Sequence, residues 1–348
     1  VWQSSPLGPF DGWPSGGGGF ETFYGFIGGE NNQWEPALYE GTTPVEPPAT
    51  AEEGYHLTED LADRAVGWMR QQKALMPDKP FFVYWAPGAT HAPHHVPNEW
   101  SDKYSGRFAA GWDALREETL ARQKEMGVVP QDAELTERHD GIRAWDDIDD
   151  DLKPVLARQM EIYAGFLEHT DHQLGRIVDT LDELEILDDT IIYYIIGDNG
   201  ASAEGSIQGC FNEYTYINGR ADVETTEFMA ERIDKFGTPE AYNHFAVGWA
   251  HAMNTPFQWT KQVASHWGGT RNATVVHWPK GIEAAGEIRD QFSHVIDVAP
   301  TILDAAGIPE PNYVNGIQQR PIEGASMVRS FAEVDAPDVR SIQYFEMF

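Results

Sequence analysis

Cysteine and basic residues are both scarce in this sequence. Cys210 is its single cysteine, so no disulfide can form within the chain. Only 24 residues are basic against 56 acidic ones, which gives a formal net charge of −32 at pH 7. A field of that sign repels nucleic acids and anionic membrane surfaces, and no apolar run reaches the length of a membrane span. We therefore expect neither partner, while cytoplasmic and periplasmic or secreted locations both stay open.

Apolar residues make up 41% of the chain and aromatic residues 12%, which is typical of a folded domain. At 348 residues the chain is long enough to bury one large core. Helical periodicity is present at residues 59–75, 152–187 and 297–306. Apolar runs typical of buried strands lie at residues 81–86, 190–197 and 274–278. This alternation predicts an α/β fold with a largely parallel central sheet flanked by helices.

Three other stretches carry weaker signals. Residues 1–50 are rich in glycine, proline and aromatic residues, and they predict loop-dominated structure. Residues 100–150 are charged and weakly periodic, so we interpret them as a surface insertion. Residues 203–255 show few strong signals and predict an extended loop region.

Asp198 and Asn199 directly follow the apolar run 190–197 and precede Gly200. Open α/β sheets place their ligand sites at the carboxyl edge of the strands, where this loop is expected to lie. Both side chains present oxygen, the ligand atom that hard divalent cations such as Ca²⁺ prefer. The alternative is an Asx turn that only ends the strand. We predict that both residues ligate a metal, although two ligands make only part of a site.

Five motifs, in this order along the chain, resemble those of the sulfatase family. They are Phe-Phe-Val-Tyr at 81–84 with His-Ala-Pro-His at 91–94, Met-Glu-Ile-Tyr-Ala-Gly at 160–165, Gly-Asp-Asn-Gly at 197–200, Gly-Gly-Thr-Arg at 268–271, and His-Val-Ile-Asp-Val-Ala-Pro-Thr at 294–301. Each motif alone is weak, since Asp-Asn-Gly is commonly a turn, but five in sequence are specific. The resemblance implies an alkaline-phosphatase-like α/β fold.

The resemblance also implies a chemistry. Members of the family hydrolyse sulfate esters with a formylglycine that is made from the cysteine of a Cys-x-Pro-Ser-Arg type motif. They hold a divalent cation, usually Ca²⁺, with an early Asp pair and a late Asp-Asn pair, and Asp198 and Asn199 match the late pair. Mg²⁺ is the alternative cation. The chain as given lacks the nucleophile motif and the early Asp pair, and Cys210 is followed by Phe-Asn-Glu.

We therefore interpret residues 1–348 as a single partial catalytic domain, an internal fragment without the N-terminal nucleophile region and the C-terminal subdomain. The formylglycine is expected in the missing N-terminal part, so the full-length protein would need the formylglycine-generating machinery. The fragment alone is expected to be inactive and poorly stable. The alternative interpretation is a variant that has no nucleophile.

The resemblance assigns further site residues. His91 matches the family histidine that contacts the sulfate, and we predict that it is catalytic and binds substrate; the alternative is a loop histidine that caps backbone groups. Lys261 precedes the Gly-Gly motif as the family's sulfate-binding lysine does, which predicts the same two roles. Its spacing is about one residue longer than in the family, and Trp267 stands where the family has a glutamate. His266 is therefore a second substrate-binding candidate, and Asn199 is also expected to face the sulfate.

The predicted function is hydrolysis of sulfate monoesters by an arylsulfatase-type sulfuric ester hydrolase. Its substrate would be a small-molecule or sugar sulfate ester, bound in a cleft on which Asp198, Asn199, His91 and Lys261 converge. One alternative is a phosphate or phosphonate ester hydrolase on the same scaffold, because a fold does not determine a reaction. Another is a non-catalytic relative that binds anions or calcium. The residue at the nucleophile position would distinguish the two enzymes.

Overall fold

The structure, a computed structural model, describes residues 7–15 and 17–346; residues 1–6, 16 and 347–348 of the predicted domain lie outside the described residues. The helices are α1 (Leu57–Leu75), α2 (Asn98–Ser101), α3 (Gly111–Glu125), α4 (Lys153–Glu183), α5 (Glu213–Ile217), α6 (Thr226–Ala230), α7 (Val247–Met253), α8 (Trp267–Thr270), α9 (Val298–Ala305) and α10 (Val328–Ala332). The strands are β1 (Tyr24–Gly25), β2 (Leu38–Glu40), β3 (Thr43–Val45), β4 (Ile192–Ile196), β5 (Ala273–His277), β6 (Tyr313–Val314) and β7 (Ile317–Gln318). Within the described ranges, every helix is either too short or too polar to cross a lipid bilayer.

The three predicted helices are present as α1, α4 and α9, and the longest of them organises the core. α4 has Pro154 in its first turn, where the missing N–H has no intrahelical partner to lose. Its apolar stripe, which includes Leu156 and Phe166, is buried, and the helix packs against α1 and α2. α1 begins after His56, whose Nδ1 accepts a hydrogen bond from the Thr58 N–H at 3.2 Å. The 3.6-residue period located these helices because one face of each is buried and the other faces solvent.

The predicted strands 190–197 and 274–278 form β4 and β5, but their pairing is antiparallel. Ile192, the first residue of β4, pairs with His277, the last residue of β5. Ile196, which leads to the predicted metal loop, pairs with Ala273. The other strand pairs of the described residues, in β1-β2-β3 and β6-β7, are antiparallel as well. The prediction of a largely parallel sheet is therefore wrong for this part of the chain. Apolar runs identify strands but not their direction, which depends on the strand that each one meets.

The remaining predicted strand, the apolar run that begins at Phe81, pairs with no strand of the described chain. Its side chains nevertheless alternate as in a strand. Phe81, Val83 and Trp85 pack against apolar residues of α1 and α4, while Phe82 and Tyr84 are exposed. The side chains of this segment therefore alternate between buried and exposed as in a strand, but the segment forms no sheet. A sheet also requires a neighbouring strand that pairs with its backbone hydrogen-bonding groups.

Two weakly patterned stretches contribute much of the core, so their interpretation as surface insertion and extended loop is wrong. Residues 100–150 supply the buried Trp112 on α3 and the buried Trp145 in a later turn, and residues 203–255 supply the buried Trp249 on α7. The indole rings pack edge to face, with Trp112 4.8 Å from Trp145 and 5.5 Å from Trp249 between centroids. Sequence pattern missed them because the three rings are far apart in the sequence and meet only across the fold.

Candidate functional site

His91 and Lys261, which are 170 residues apart, are in direct contact. The Lys261 Nζ donates a hydrogen bond to the His91 Nε2 at 3.0 Å. Because an ammonium group only donates, Nε2 is the acceptor, and we infer that the ring proton is on Nδ1. That Nδ1 donates to the Ala92 carbonyl oxygen at 2.7 Å. The hydrogen bonds thus assign a role to each ring nitrogen of His91, and both side chains of the contact are partly accessible to solvent.

Backbone hydrogen bonds attach the segment that carries Lys261 to the loop after β4. The Lys261 N–H donates to the Ala201 carbonyl oxygen at 3.0 Å, and the Gly200 N–H donates to the Gly269 carbonyl oxygen at 3.0 Å. This approach requires a glycine at position 200, because a Cβ there would lie 1.7 Å from the Gly268 carbonyl oxygen. The two segments are therefore held together by glycines that let their backbones touch.

Asp198 and Asn199 lie side by side immediately after β4. Asp198 is exposed, and its Oδ1 accepts a hydrogen bond from the Asn199 Nδ2 at 2.6 Å. Gly197 before them has a φ of +83°, a conformation that turns the chain out of the strand and favours glycine. Within the described residues, no hydrogen bond joins either side chain to His91 or Lys261. The two pairs are connected through the backbone of the loop.

The oxygens of Asp198 and Asn199 suit a hard divalent cation, since carboxylate and carboxamide oxygens are its usual ligands. They do not complete a site. The described part of the chain contains no group of three or more His, Cys, Asp or Glu side chains placed to hold a metal ion. Ca²⁺ takes about six to eight oxygen ligands, so the others would have to come from outside this pair.

His266 does not take part in the His91–Lys261 contact. Its Nδ1 lies 2.9 Å from the Ser265 Oγ, and its ring faces that of Trp259 at 6.1 Å between centroids. It lines an open depression of about 330 Å³ that includes neither His91 nor Lys261. The structure therefore places Lys261, and not the second candidate His266, against the predicted catalytic histidine.

Two glutamates that no sequence motif indicated flank this contact. The Glu204 Oε2 accepts a hydrogen bond from the Lys261 Nζ at 2.8 Å. Burial is the largest single influence on Glu204 and opposes its ionisation, but the hydrogen bonds from Lys261 and Ser202 and the positive charge of Lys261 together outweigh it and lower the pKa of the carboxyl. On the other side, the Glu30 Oε2 lies 3.8 Å from the His91 Nδ1. Glu204 closely follows the Asp-Asn-Gly motif and could have been suspected, whereas Glu30 comes from a distant loop.

A third glutamate, Glu213, is buried beside them. Asn212 caps α5, since its Oδ1 accepts a hydrogen bond from the Tyr214 N–H at 3.0 Å, and this places Glu213 in the first turn. Burial, and after it the negative charge of Glu30, raises the pKa of Glu213 to about 8. The carboxyl is therefore largely protonated at neutral pH.

The single cysteine is a buried residue in a backbone bridge. Cys210 and His244 exchange two backbone hydrogen bonds, at 3.0 and 3.2 Å. Burial, followed by the charges of Glu224 and Glu213, raises the pKa of the Cys210 thiol. A buried, protonated thiol is a poor nucleophile. This agrees with the sequence, in which Cys210 has no Pro-Ser-Arg context.

Comparison with known sequences identifies relatives along most of the chain. A family model described as Sulfatase matches residues 2–308. An uncharacterized sulfatase of Schizosaccharomyces pombe is 28% identical over 317 residues, which cover 87% of this chain and 54% of that protein. An arylsulfatase of Klebsiella aerogenes is 25% identical over 305 residues, which cover 84% of this chain and 61% of that protein. The chain thus spans little more than half the length of these two curated relatives.

Comparison with solved structures agrees with the sequence matches. The fold is similar to the crystal structure of Ps i-CgsB in complex with k-i-k-neocarrahexaose, with a TM-score of 0.51 and 19% identity, over 92% of this chain and 51% of that chain. The crystal structure of Ps i-CgsB gives the same TM-score, with 18% identity. The predicted α/β, alkaline-phosphatase-like fold class is thereby confirmed. Because the family model matches most of its length, the chain belongs to the sulfatase family.

Proposed function

We propose that this chain supplies the sulfate-binding side of the active site of an arylsulfatase-type sulfuric ester hydrolase. The observation that supports the proposal most directly is the 3.0 Å hydrogen bond between Lys261 and His91. It lies against the loop that carries Asp198 and Asn199. Membership of the sulfatase family supports sulfate ester hydrolysis in general. The similarity to an arylsulfatase, at 25% identity, supports an aryl ester as the substrate to test first.

In this proposal Lys261 binds the sulfate group as a point cation. A local positive charge is needed because the net charge of −32 opposes the approach of an anion. Before substrate binds, the ammonium donates to Glu204 and to His91. These two acceptors hold the Lys261 side chain in place, and sulfate oxygens would take over its hydrogen bonds.

His91 would transfer a proton at the ester or product oxygen. Its Nε2 carries no proton while Lys261 donates to it. Once the sulfate accepts that hydrogen bond instead, Nε2 is free to take up a proton. The Glu30 Oε2 lies 3.8 Å from the Nδ1 of the same ring. An imidazole so placed serves as a general acid or base near neutral pH.

Asp198 and Asn199 would supply two oxygen ligands to a divalent cation, with Ca²⁺ preferred and Mg²⁺ the alternative, and Asn199 would also face the sulfate. A cation bound there would offset negative charge on the sulfate. The sequence contains no Cys-x-Pro-Ser-Arg motif, so a formylglycine nucleophile would come from outside residues 1–348. These residues would then be a single partial catalytic domain, and the formylglycine-generating machinery would be a partner of the whole protein.

The test is hydrolysis of 4-nitrophenyl sulfate, in the presence of Ca²⁺, by the protein expressed from its complete reading frame. Lys261→Ala and Asp198→Ala are each expected to lower kcat/KM at least about a hundredfold. Asp198→Ala should also weaken Ca²⁺ binding in calorimetry, because it removes an anionic ligand. Lys235→Ala is the matched control, since that surface lysine pairs with Glu240, at 2.8 Å.

Other outcomes would favour the alternatives. Turnover of 4-nitrophenyl phosphate without turnover of the sulfate would favour a phosphate ester hydrolase. Ca²⁺ binding without turnover of either ester would favour a non-catalytic relative. Full activity in Lys261→Ala would refute the role of that lysine. Residues 1–348 expressed alone are expected to be inactive towards the same sulfate ester.

A further inference from the structure

One side of the His91–Lys261 contact is lined by an acidic wall, defined here by Glu30, Glu213, Tyr214 and Tyr242. The hydroxyls of Tyr214 and Tyr242 lie 3.3 and 3.4 Å from the Glu30 Oε1, which can accept a hydrogen bond from either. The two rings lie 4.8 Å apart between centroids. The wall adjoins the predicted sulfate site because the Glu30 Oε2 is 3.8 Å from the His91 Nδ1.

Glu213 carries a buried oxygen that no described residue satisfies. The residue is 5% exposed, and its Oε1 has no hydrogen-bond partner within residues 7–15 and 17–346. An unsatisfied buried acceptor costs about 1–3 kcal/mol and calls for an explanation. Glu213 directly precedes Tyr214, whose hydroxyl lies 3.3 Å from the Glu30 Oε1, and the negative charge of Glu30 acts on the Glu213 carboxyl. A ligand that donates a hydrogen bond to Oε1 would remove this cost.

The chemistry of the acidic wall selects the class of ligand. An anion would be repelled by Glu30, and it brings no hydrogen that the Glu213 Oε1 could accept. A metal ion is not favoured, because the described ranges contain no set of three His, Cys, Asp or Glu side chains placed for one. A positively charged donor fits both parts of the wall: the carboxyl oxygens accept its hydrogen bonds, and the accessible face of Tyr214 attracts its charge.

We infer that the acidic wall is a specificity subsite for a primary ammonium group carried on the alcohol portion of the sulfate ester. The inference rests on the proposed function, since it places the sulfate of the same molecule at Lys261. Such an ester is a zwitterion, so the net charge of −32 does not oppose its approach as it opposes that of an anion. On binding, the proton held by the Glu30–Glu213 pair leaves to solvent and the ammonium takes its place.

Two sulfate esters that differ mainly in this group test the inference with the protein from its complete reading frame. They are 4-(2-aminoethyl)phenyl sulfate and 4-ethylphenyl sulfate. The unaltered protein is expected to prefer the amine in kcat/KM at least about tenfold. Glu213→Gln and Glu30→Gln should each bring this ratio towards one. The control Glu240→Gln, which removes a surface carboxylate paired with Lys235, should keep the ratio.

The outcomes separate this inference from the proposed function. Hydrolysis of both esters at a ratio near one would overturn the subsite and leave the proposed function standing. Hydrolysis of neither would count against the proposed function, and calorimetry with free tyramine then tests the subsite. Binding that weakens at least about tenfold in Glu213→Gln supports the subsite, and no binding to the unaltered protein overturns it. If Glu213→Gln fails to fold, the same measurement on Glu30→Gln tests the subsite, because Glu30 lies outside any helix or strand.

Discussion

Apolar residues are buried to very different degrees in two regions of the molecule. One is the helical core, the cluster that includes buried residues of α3, α4 and α7, and the other is the two-stranded sheet β4–β5. In the helical core, Trp112 and Trp249 are 1% and 0% exposed. In the sheet, Ile195 and Val275 are 40% and 52% exposed. The weakly patterned stretches thus hold the tightest packing, whereas the most strand-like runs remain half open. The candidate site lies at the end of the open sheet and is supported from the side of the helical core.

This difference assigns stability and function to different regions. Removing apolar surface from water stabilises a fold by about 25 cal/mol per Å², so a fully buried apolar residue of the helical core stabilises the fold more than a half-exposed one of the sheet. Exposed apolar side chains on a short sheet contribute little and offer a surface for association. Changes in the core should therefore alter global stability, and changes near β4 should alter the site.

Acid is expected to give the largest effect, and it should act through the histidines that are buried around the helices. Burial lowers the pKa of His95 and His244 to about 4, and it also lowers the pKa values of His56 and His94. In the unfolded chain these groups titrate near about pH 6.5. Between about pH 6.5 and 4 the unfolded state binds more protons, so stability falls as pH falls, by up to about 1.4 kcal/mol per pH unit for each histidine.

Urea unfolding at pH 7, 6 and 5 measures this slope. His95→Gln should reduce it by about one proton. His277→Gln, at the exposed end of β5, is the matched control and should leave the slope as it is. A slope that stays the same in His95→Gln would contradict the assignment of acid sensitivity to the buried histidines.

Truncation of a core tryptophan is expected to give the next largest effect. Trp249→Ala should destabilise the protein by about 3–5 kcal/mol, because it leaves a cavity among Trp112 and Trp145. Val275→Thr keeps the branched shape on the exposed sheet and should change stability by no more than about 0.5 kcal/mol. The urea midpoints of Trp249→Ala and Val275→Thr measure the two effects. Similar losses of stability in both variants would contradict the conclusion that the helical core stabilises the fold more than the sheet does.

The smallest effect on the helical core is expected from Gly200→Ala. A Cβ at this position would meet the Gly268 carbonyl oxygen, so the loop after β4 would separate from the segment that carries Lys261. Sulfate ester turnover should fall at least about tenfold, while hydrogen exchange of α4 should stay unchanged, because the loop opens locally. Gly175→Ala is the matched control, because a Cβ at this position of α4 would have no neighbouring atom within 4 Å. This variant should keep turnover, and its free energy of unfolding should rise by about 0.5–1 kcal/mol, because alanine favours a helix more than glycine does. Unaltered turnover in Gly200→Ala would contradict this account of the loop.

Part of the candidate site was predictable because its signals are local. A strand followed by Asp198 and Asn199 can be recognised within ten consecutive residues. The motifs around His91 and Lys261 identified two residues that the structure places 3.0 Å apart. The metal, substrate and catalytic roles of these residues remain predictions. Glu213 could not be found in this way, since its only sequence signal is a helix cap that any short helix could carry.

The sequence alone determined the α/β class, the positions of α1, α4, α9, β4 and β5, and the family motifs. These features repeat or lie within a few residues of one another, so pattern is enough to locate them. Tertiary structure alone decided that β4 and β5 run antiparallel, that the indoles of Trp112 and Trp249 meet, and that Lys261 rather than His266 contacts His91. Such contacts depend on the path of the chain between distant residues, and composition and periodicity carry no record of that path.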